Sequence, residues 1–275
     1  MAFAEASVPI DDRGLQFGES LYEVVPVTAG VTRLLPEHVA RLERGAAALG
    51  LEAGVPALAE WRAIIAELMR RDAVRDALLY AQVTGGAAPR EHVPTADVRK
   101  TFFAYLMPYV FPGEADVARG VRAISLPDIR WGRRDLKTTM LLPAVLAKRE
   151  ARRRGASEAI FVGPNDEVYE GASSNVFIVE GRTLLTPEQT TNLLPGTMRS
   201  LVVEIAKEAG LEARGEPFTL DRLRGADEVL VTSTSQLVMP VVALDEANIG
   251  SGSSGPVARD VARRLSERFE LSAQR

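Results

Sequence analysis

Asp135-Leu-Lys-Thr-Thr-Met-Leu-Leu-Pro143 sets one lysine ahead of a run that holds only hydroxyl and apolar residues. The chain has 275 residues and 33 basic side chains, yet lysine occurs only at Lys100, Lys137, Lys148 and Lys207. Where arginine is the default cation, a lysine in uncharged company is a candidate for amine chemistry. An amine nucleophile has to be unprotonated, whereas a free lysine titrates near about 10.4. Apolar surroundings or neighbouring cations bring it down and permit imine formation with an aldehyde. Lys148 lies in the charged stretch Ala147-Lys-Arg-Glu-Ala-Arg-Arg-Arg154, Lys207 in a solvated helical stretch, and Lys100 at a strand edge beside an arginine. Lys137 differs from all three. A strand-end lysine with its head in water is the alternative, and composition alone favours it slightly.

Outward from that segment, two domains are expected, 1–111 and 112–275. Leu21 to Thr28 is rich in β-branched residues and ends at Ala-Gly, the pattern of a strand and turn. Pro36 to Leu49 reads as a helix with Pro in its first turn and Gly50 at its end. Pro56 to Arg70 places Leu58, Trp61, Ile64, Ile65 and Leu68 on one helical face. Strands follow at Ala77 to Thr84 and Thr101 to Met107. Pro108, Pro112 and Gly113, with the polar run Glu114 to Gly120, read as a linker. Strands and helices then alternate, the clearest helices being Gly196 to Ala209 and one that starts at Pro256.

Four further segments carry possible chemistry. Glu170-Gly-Ala-Ser-Ser-Asn-Val-Phe-Ile178 puts a carboxylate at a strand end, followed by small residues that admit a flat ligand close to the backbone. A carboxylate beside a pyridine nitrogen keeps that nitrogen protonated; a turn glutamate is the plainer reading. Asn192-Leu-Leu-Pro-Gly-Thr-Met-Arg199 opens a helix whose first N–H groups suit an anion, or is an ordinary helix start. Thr232-Ser-Thr-Ser235 offers hydroxyls for phosphate or for a cap. Arg90 and His92 follow a glycine-rich turn and either converge on a carboxylate, which arginine holds bidentately, or are solvated loop residues.

Composition removes several classes. Net charge is −4, with 33 basic and 37 acidic residues spread along the chain and no basic face standing out, so nucleic acid is not an expected partner. The chain has no cysteine and only two histidines, His38 and His92, which argues against a disulfide framework and a metal site. The first twelve residues lack the pattern of a signal peptide, and no uncharged run approaches a membrane span. A cytoplasmic protein is expected.

In this order, the segments resemble the fold-type IV pyridoxal-phosphate enzymes, and among them the bacterial D-amino acid aminotransferases. The opening Asp12-Arg-Gly-Leu-Gln-Phe-Gly18 before Leu21-Tyr-Glu-Val is similar to the family's first strand motif, and Glu37-His-Val-Ala-Arg-Leu42 to the segment that grips the cofactor phosphate. Asp128-Ile-Arg-Trp131 and Asp135-Leu-Lys137 match the approach to its Schiff-base lysine. The resemblance implies an α+β / α/β chain, with a small N-terminal α/β domain and a larger C-terminal mixed α/β pseudo-barrel domain. It implies pyridoxal 5'-phosphate as cofactor, with Lys137 and Glu170 as catalytic residues. Arg41, Gly196, Thr197, Met198, Ser233 and Thr234 would hold the phosphate. Tyr22, Arg90 and His92 would bind the substrate α-carboxylate, the last two reaching the partner's active site in a homodimer. The implied activity is amino transfer between D-amino acids and 2-oxo acids by a ping-pong route.

Three departures accompany this. The start is about nine residues shorter than the family's usual one, Met198 replaces a common threonine, and Pro26-Val-Thr28 replaces a Lys-Val-Tyr-like stretch. Branched-chain L-amino acid aminotransferases, (R)-amine transaminases and aminodeoxychorismate lyases share the scaffold and stand as alternatives. A phosphate-binding module built on Gly250 to Gly255 is the alternative of another class, although that run lacks the lysine of a phosphate loop.

Overall fold

The computed structural model describes residues 5–94 and 97–271. They form two compact units. The first comprises the chain up to Val110 together with Leu136–Met140, and the second comprises Phe111–Asp135 and Leu141 onward. A division at 111/112 follows the chain linearly, whereas the short segment around Lys137 returns to the first unit because its backbone is bonded there.

The first unit begins with a single-turn helix, α1 (Arg13–Phe17), and then the strands β1 (Ser20–Thr28) and β2 (Val31–Thr32). Helices α2 (Leu35–Leu49) and α3 (Leu58–Asp72) follow, then β3 (Ala77–Thr84) and β4 (Thr101–Pro108). The sheet runs β2-β1-β3-β4 and every pairing in it is antiparallel. Alternation gives the sheet two unlike faces. Leu21, Val25, Leu79, Ala81 and Val83 are buried, whereas Tyr22, Val24, Tyr80, Gln82, Phe103 and Tyr105 are half-buried or lie at the other face. On the buried side α2 lies close enough to β1 that a side chain at Gly45 would press on Leu21. Trp61 of α3, fully buried, meets Phe102 edge-on at 5.4 Å. The α3 helix starts at Leu58 rather than Pro56 because Glu60 reaches back to the Ala57 amide at 2.8 Å.

The second unit contains α4 (Glu114–Arg119), β5 (Val121–Pro127), α5 (Leu142–Arg153), β6 (Glu158–Val162), β7 (Val168–Gly171), β8 (Asn175–Glu180) and β9 (Thr183–Thr186). It continues with α6 (Thr197–Glu208), β10 (Glu212–Gly215), α7 (Leu220–Arg224), β11 (Glu228–Ser233), β12 (Leu237–Leu244), β13 (Ala247–Asn248) and α8 (Pro256–Arg268). Among the described residues nine strands form one mixed sheet, β10-β9-β8-β11-β12-β5-β6-β7, with β13 on β12. The β12, β5 and β6 pairings are parallel, and those of β8, β11 and β12 antiparallel. A turn that bonds Gly171 N–H to Ser174 O at 2.7 Å carries β7 into β8, so the far end of the sheet curls back. Val176, Ile178, Val229, Val231, Met239 and Val241 form its core.

The polar run Glu114 to Gly120 is a helix rather than a linker. Asp116 accepts from the Gly113 amide at 3.0 Å at its start, and Gly120 closes it at φ 64. Among the described residues, no helix is long and apolar enough to cross a membrane.

Candidate active site

In the first unit, Leu136–Met140 runs against the beginning of β1. Tyr22 N–H donates to the Lys137 carbonyl at 3.0 Å, Thr138 bridges to Leu21, and the hydroxyls of Ser20 and Thr139 are in contact. This fixes the lysine backbone and turns its side chain over the face of Tyr22, with Nζ 4.3 Å from the ring centre. Among the described residues no carboxylate pairs with it. Tyr22 is one end of an aromatic row, stacked on Tyr80 at 5.6 Å, which stacks in turn on Tyr105 at 5.2 Å. Burial pushes the Tyr80 phenol up, and Tyr105 and Tyr22 add to the effect.

Arg41 and His38, one turn apart on α2, meet Glu23 of β1. Arg41 Nε and Nη2 donate to the two Glu23 oxygens at 2.8 and 2.6 Å, and His38 Nδ1 lies 2.7 Å from Oε2. All three are buried. Burial alone would raise the Glu23 carboxyl, but the charge and hydrogen bonds of Arg41, aided by His38, bring it down to about 2. Burial lowers the His38 imidazole, and the charges of Arg41 and Lys137 reinforce this against the pull of Glu23. Arg41 is thus a fixed cation, oriented through a fork that a lysine does not have. Arg90 and His92 are exposed and lie against one ring, that of Phe17.

In the second unit, Glu170, the penultimate residue of β7, is almost fully buried. One of its oxygens is ion-paired with Arg130, whose Nη2 also meets Asp128 at 2.8 Å. The other accepts from Asn175 Nδ2 at 3.1 Å and from the Leu194 amide at 3.0 Å. Asn175 also donates to the Leu194 carbonyl at 3.0 Å and stands where a Cβ on residue 196 would collide with it. Only glycine fits there, and α6 therefore begins with no side-chain cap. Asn175 pairs across the sheet with Thr232, which leads directly to Ser233 and Thr234. The Thr232 hydroxyl is buried with no hydrogen-bond partner among the described residues.

Glu170, the start of α6 at Gly196–Met198 and the end of β11 are therefore one constellation, joined by Asn175. The sequence alone did not assign roles to Asn175 or Arg130. Both lie inside conspicuous segments, and their polar side chains beside an apolar strand and an aspartate were the available signal.

The start of α8 shows the opposite arrangement. Glu228 occupies it with its own carboxylate, accepting from Val257 and Ala258 N–H at 2.9 and 2.8 Å. The Gly250 to Gly255 run thus leads to a helix start already filled by an internal anion, which counts against a phosphate loop there.

Residues 20–244 match the model of the amino-transferase class IV family. The chain belongs to the class IV aminotransferases. It is 39% identical over 265 residues to a D-alanine aminotransferase of Bacillus licheniformis, covering 96% of this chain and 93% of that one. A D-alanine aminotransferase of Staphylococcus haemolyticus is 35% identical over 267 residues, covering 97% and 94%. A T.th. branched-chain amino acid aminotransferase, solved with pyridoxamine 5'-phosphate, superposes with a TM-score of 0.89 at 28% identity, covering 98% and 91%. Class IV aminotransferases use pyridoxal 5'-phosphate, and this chain is one of them. Taken unit by unit, the residues present suit such a group: in the first, an amine with no acidic partner among the described residues; in the second, a buried carboxylate, a helix start without a side-chain cap and a buried hydroxyl with no partner among the described residues.

Proposed function

We propose that this aminotransferase moves amino groups between D-amino acids, such as D-alanine and D-glutamate, and 2-oxo acids. The observation that most supports the chemistry is Lys137, whose amine lies over Tyr22 with no acidic counterion among the described residues. The D-specific part is supported by relatives that bear the name D-alanine aminotransferase over nearly the whole chain, and by Tyr22, Arg90 and His92.

When bound, the cofactor supplies an aldehyde for amine capture and a ring that accepts the electron pair left by a broken Cα–H bond. In this reading Lys137 Nζ would hold the cofactor covalently through its amine and would take the proton from the substrate Cα as a general base. Glu170, oriented by Arg130 and Asn175, would keep the ring nitrogen protonated. Arg41, the N–H groups of Gly196, Thr197 and Met198, and the hydroxyls of Ser233 and Thr234 bind phosphate. Tyr22, Arg90 and His92 hold the substrate α-carboxylate, the last two serving the partner's active site of a homodimer. Ping-pong kinetics follow, since one oxo acid leaves before the second binds.

A branched-chain L-amino acid aminotransferase is the second reading, favoured by the likeness to the T.th. branched-chain enzyme. Initial rates with D-alanine and L-leucine, each with 2-oxoglutarate, separate the two. Faster turnover of D-alanine is expected, and faster turnover of L-leucine overturns the D-specific reading.

A further inference from the structure

We propose that Arg13 and Phe17 of α1 are positioning residues for the Arg90–His92 carboxylate clamp. The proposal rests on the reading of Arg90 and His92 given above. These two residues lie on the connection 85–100 between β3 and β4, whose one regular pairing among the described residues is the bridge from Ala87 to Asp12. A connection this long with so little regular structure among its described residues is uncommon unless it serves a function. To bind a carboxylate through two side chains, it has to keep them in fixed relation before the substrate arrives.

Arg13 supplies that constraint from beneath. Its side chain is buried and all three arms of the guanidinium are engaged. Nε meets Glu19 Oε2 at 2.5 Å, Nη1 donates to the Glu91 carbonyl at 2.6 Å, and Nη2 donates to the His92 carbonyl at 2.9 Å. Two successive carbonyls of the clamp are thus bonded to one planar fork, which fixes their spacing and direction.

Phe17 supplies the side-chain register. The Arg90 guanidinium carbon lies 5.3 Å from its ring centre and the His92 ring 5.6 Å away, while Arg13 stacks on the same ring at 4.9 Å. The platform is itself anchored. Asp12 accepts from the Gly14 amide at 2.8 Å and from the hydroxyls of Thr84 and Thr101, the residues where β3 ends and β4 begins, at 2.8 and 3.0 Å. The Arg13 amide donates to Gly86 O at 2.9 Å. Both flanks of the connection and its tip are therefore referred to α1.

Steady-state kinetics of the holoenzyme, using whichever of D-alanine and L-leucine it turns over faster, test this. Arg90→Ala is expected to raise KM about tenfold, the loss of one charged contact. Arg13→Lys keeps the charge but not the fork, and Phe17→Leu keeps the bulk but not the ring. Each is expected to raise KM about fivefold with kcat within about twofold, and Phe17→Tyr to restore the wild-type KM. In an Arg90→Ala background, Arg13→Lys should add less than about twofold, because residues acting through one another are not additive. A purely structural role would lower the active fraction, and hence kcat, at unchanged KM. Unchanged KM in both Arg13→Lys and Phe17→Leu, with Arg90→Ala impaired, overturns the positioning role alone. Unchanged KM in Arg90→Ala removes the clamp reading, and the proposal with it. If Arg13→Lys does not fold, Phe17→Leu and its Tyr rescue decide the matter.

Discussion

Lys137 and Lys148 lie on consecutive segments of the chain in opposite electrostatic company. Lys148 sits on α5 with Nζ 2.8 Å from the Glu158 carboxylate, and donates to the Ser157 carbonyl at 3.0 Å. Glu158 is fully buried and also accepts from Ser174 and from the Ala159 amide. An amine tied to such a carboxylate cannot leave without stranding a buried charge. Among the described residues, the Tyr22 ring is the one contact given to the Lys137 amine, and such a contact is worth about 0.5–1 kcal/mol where it is solvated. A hydrogen bond to a charged group is worth about 1.5–3 kcal/mol. The side chains are chemically identical; on the proposed reading, the counterion decides which is structural and which is available for chemistry.

Substitution at the two sites should therefore have unlike effects. Lys137→Ala is expected to lower kcat by about a thousandfold or more, with folding intact by circular dichroism. Lys148→Met is expected to keep kcat within about twofold. A comparable collapse of activity in Lys148→Met would break the comparison. Next in size is Glu170→Gln, which keeps the shape but not the charge. A fall in kcat of about a hundredfold is expected, with a shifted absorbance of the bound cofactor; an unchanged rate would remove Glu170 from the mechanism.

Local pattern made the elements legible, but not the partners that orient the site. The strand Ser20–Thr28 follows its β-branched run, and α6 follows the spacing of Met198, Leu201, Val202 and Ile205, all buried. The short helix α4 was missed because its polar composition resembles a linker, and its one clear signal was Asp116 three residues after Gly113. Arg130 and Glu170 are forty residues apart, and no spacing rule connects them. Scarcity of lysine singled out Lys137 as a candidate, though composition alone favoured a solvated lysine. Its membership of the first unit was not legible, because that depends on backbone bonds to β1. Arg13 and Phe17 stood out only as part of a motif, since their contacts run to a loop more than seventy residues on.

Smaller effects concern stability. Lys148→Met strands Glu158, a loss of about 2 kcal/mol once the half-exposed position of the lysine is discounted. A melting temperature lower by about 5 °C is expected by calorimetry. The Glu23–His38–Arg41 cluster adds a pH dependence. His38 titrates lower in the fold than its ordinary 6.5, so the unfolded chain takes up its proton first and stability declines as pH falls below 6.5. Glu23, held at about 2, contributes stability that is present above 4.5 and lost as pH falls toward 2. Denaturant titrations of His38→Gln should show the first decline flattened and the second retained. Identical profiles for His38→Gln and wild type would contradict this assignment.

The central claim concerns one amine among four lysines, and reduction of the holoenzyme with borohydride followed by peptide mapping addresses it directly. The account predicts a single cofactor adduct, on the peptide containing Lys137. An adduct on Lys100, Lys148 or Lys207, with Lys137 unmodified, would contradict it.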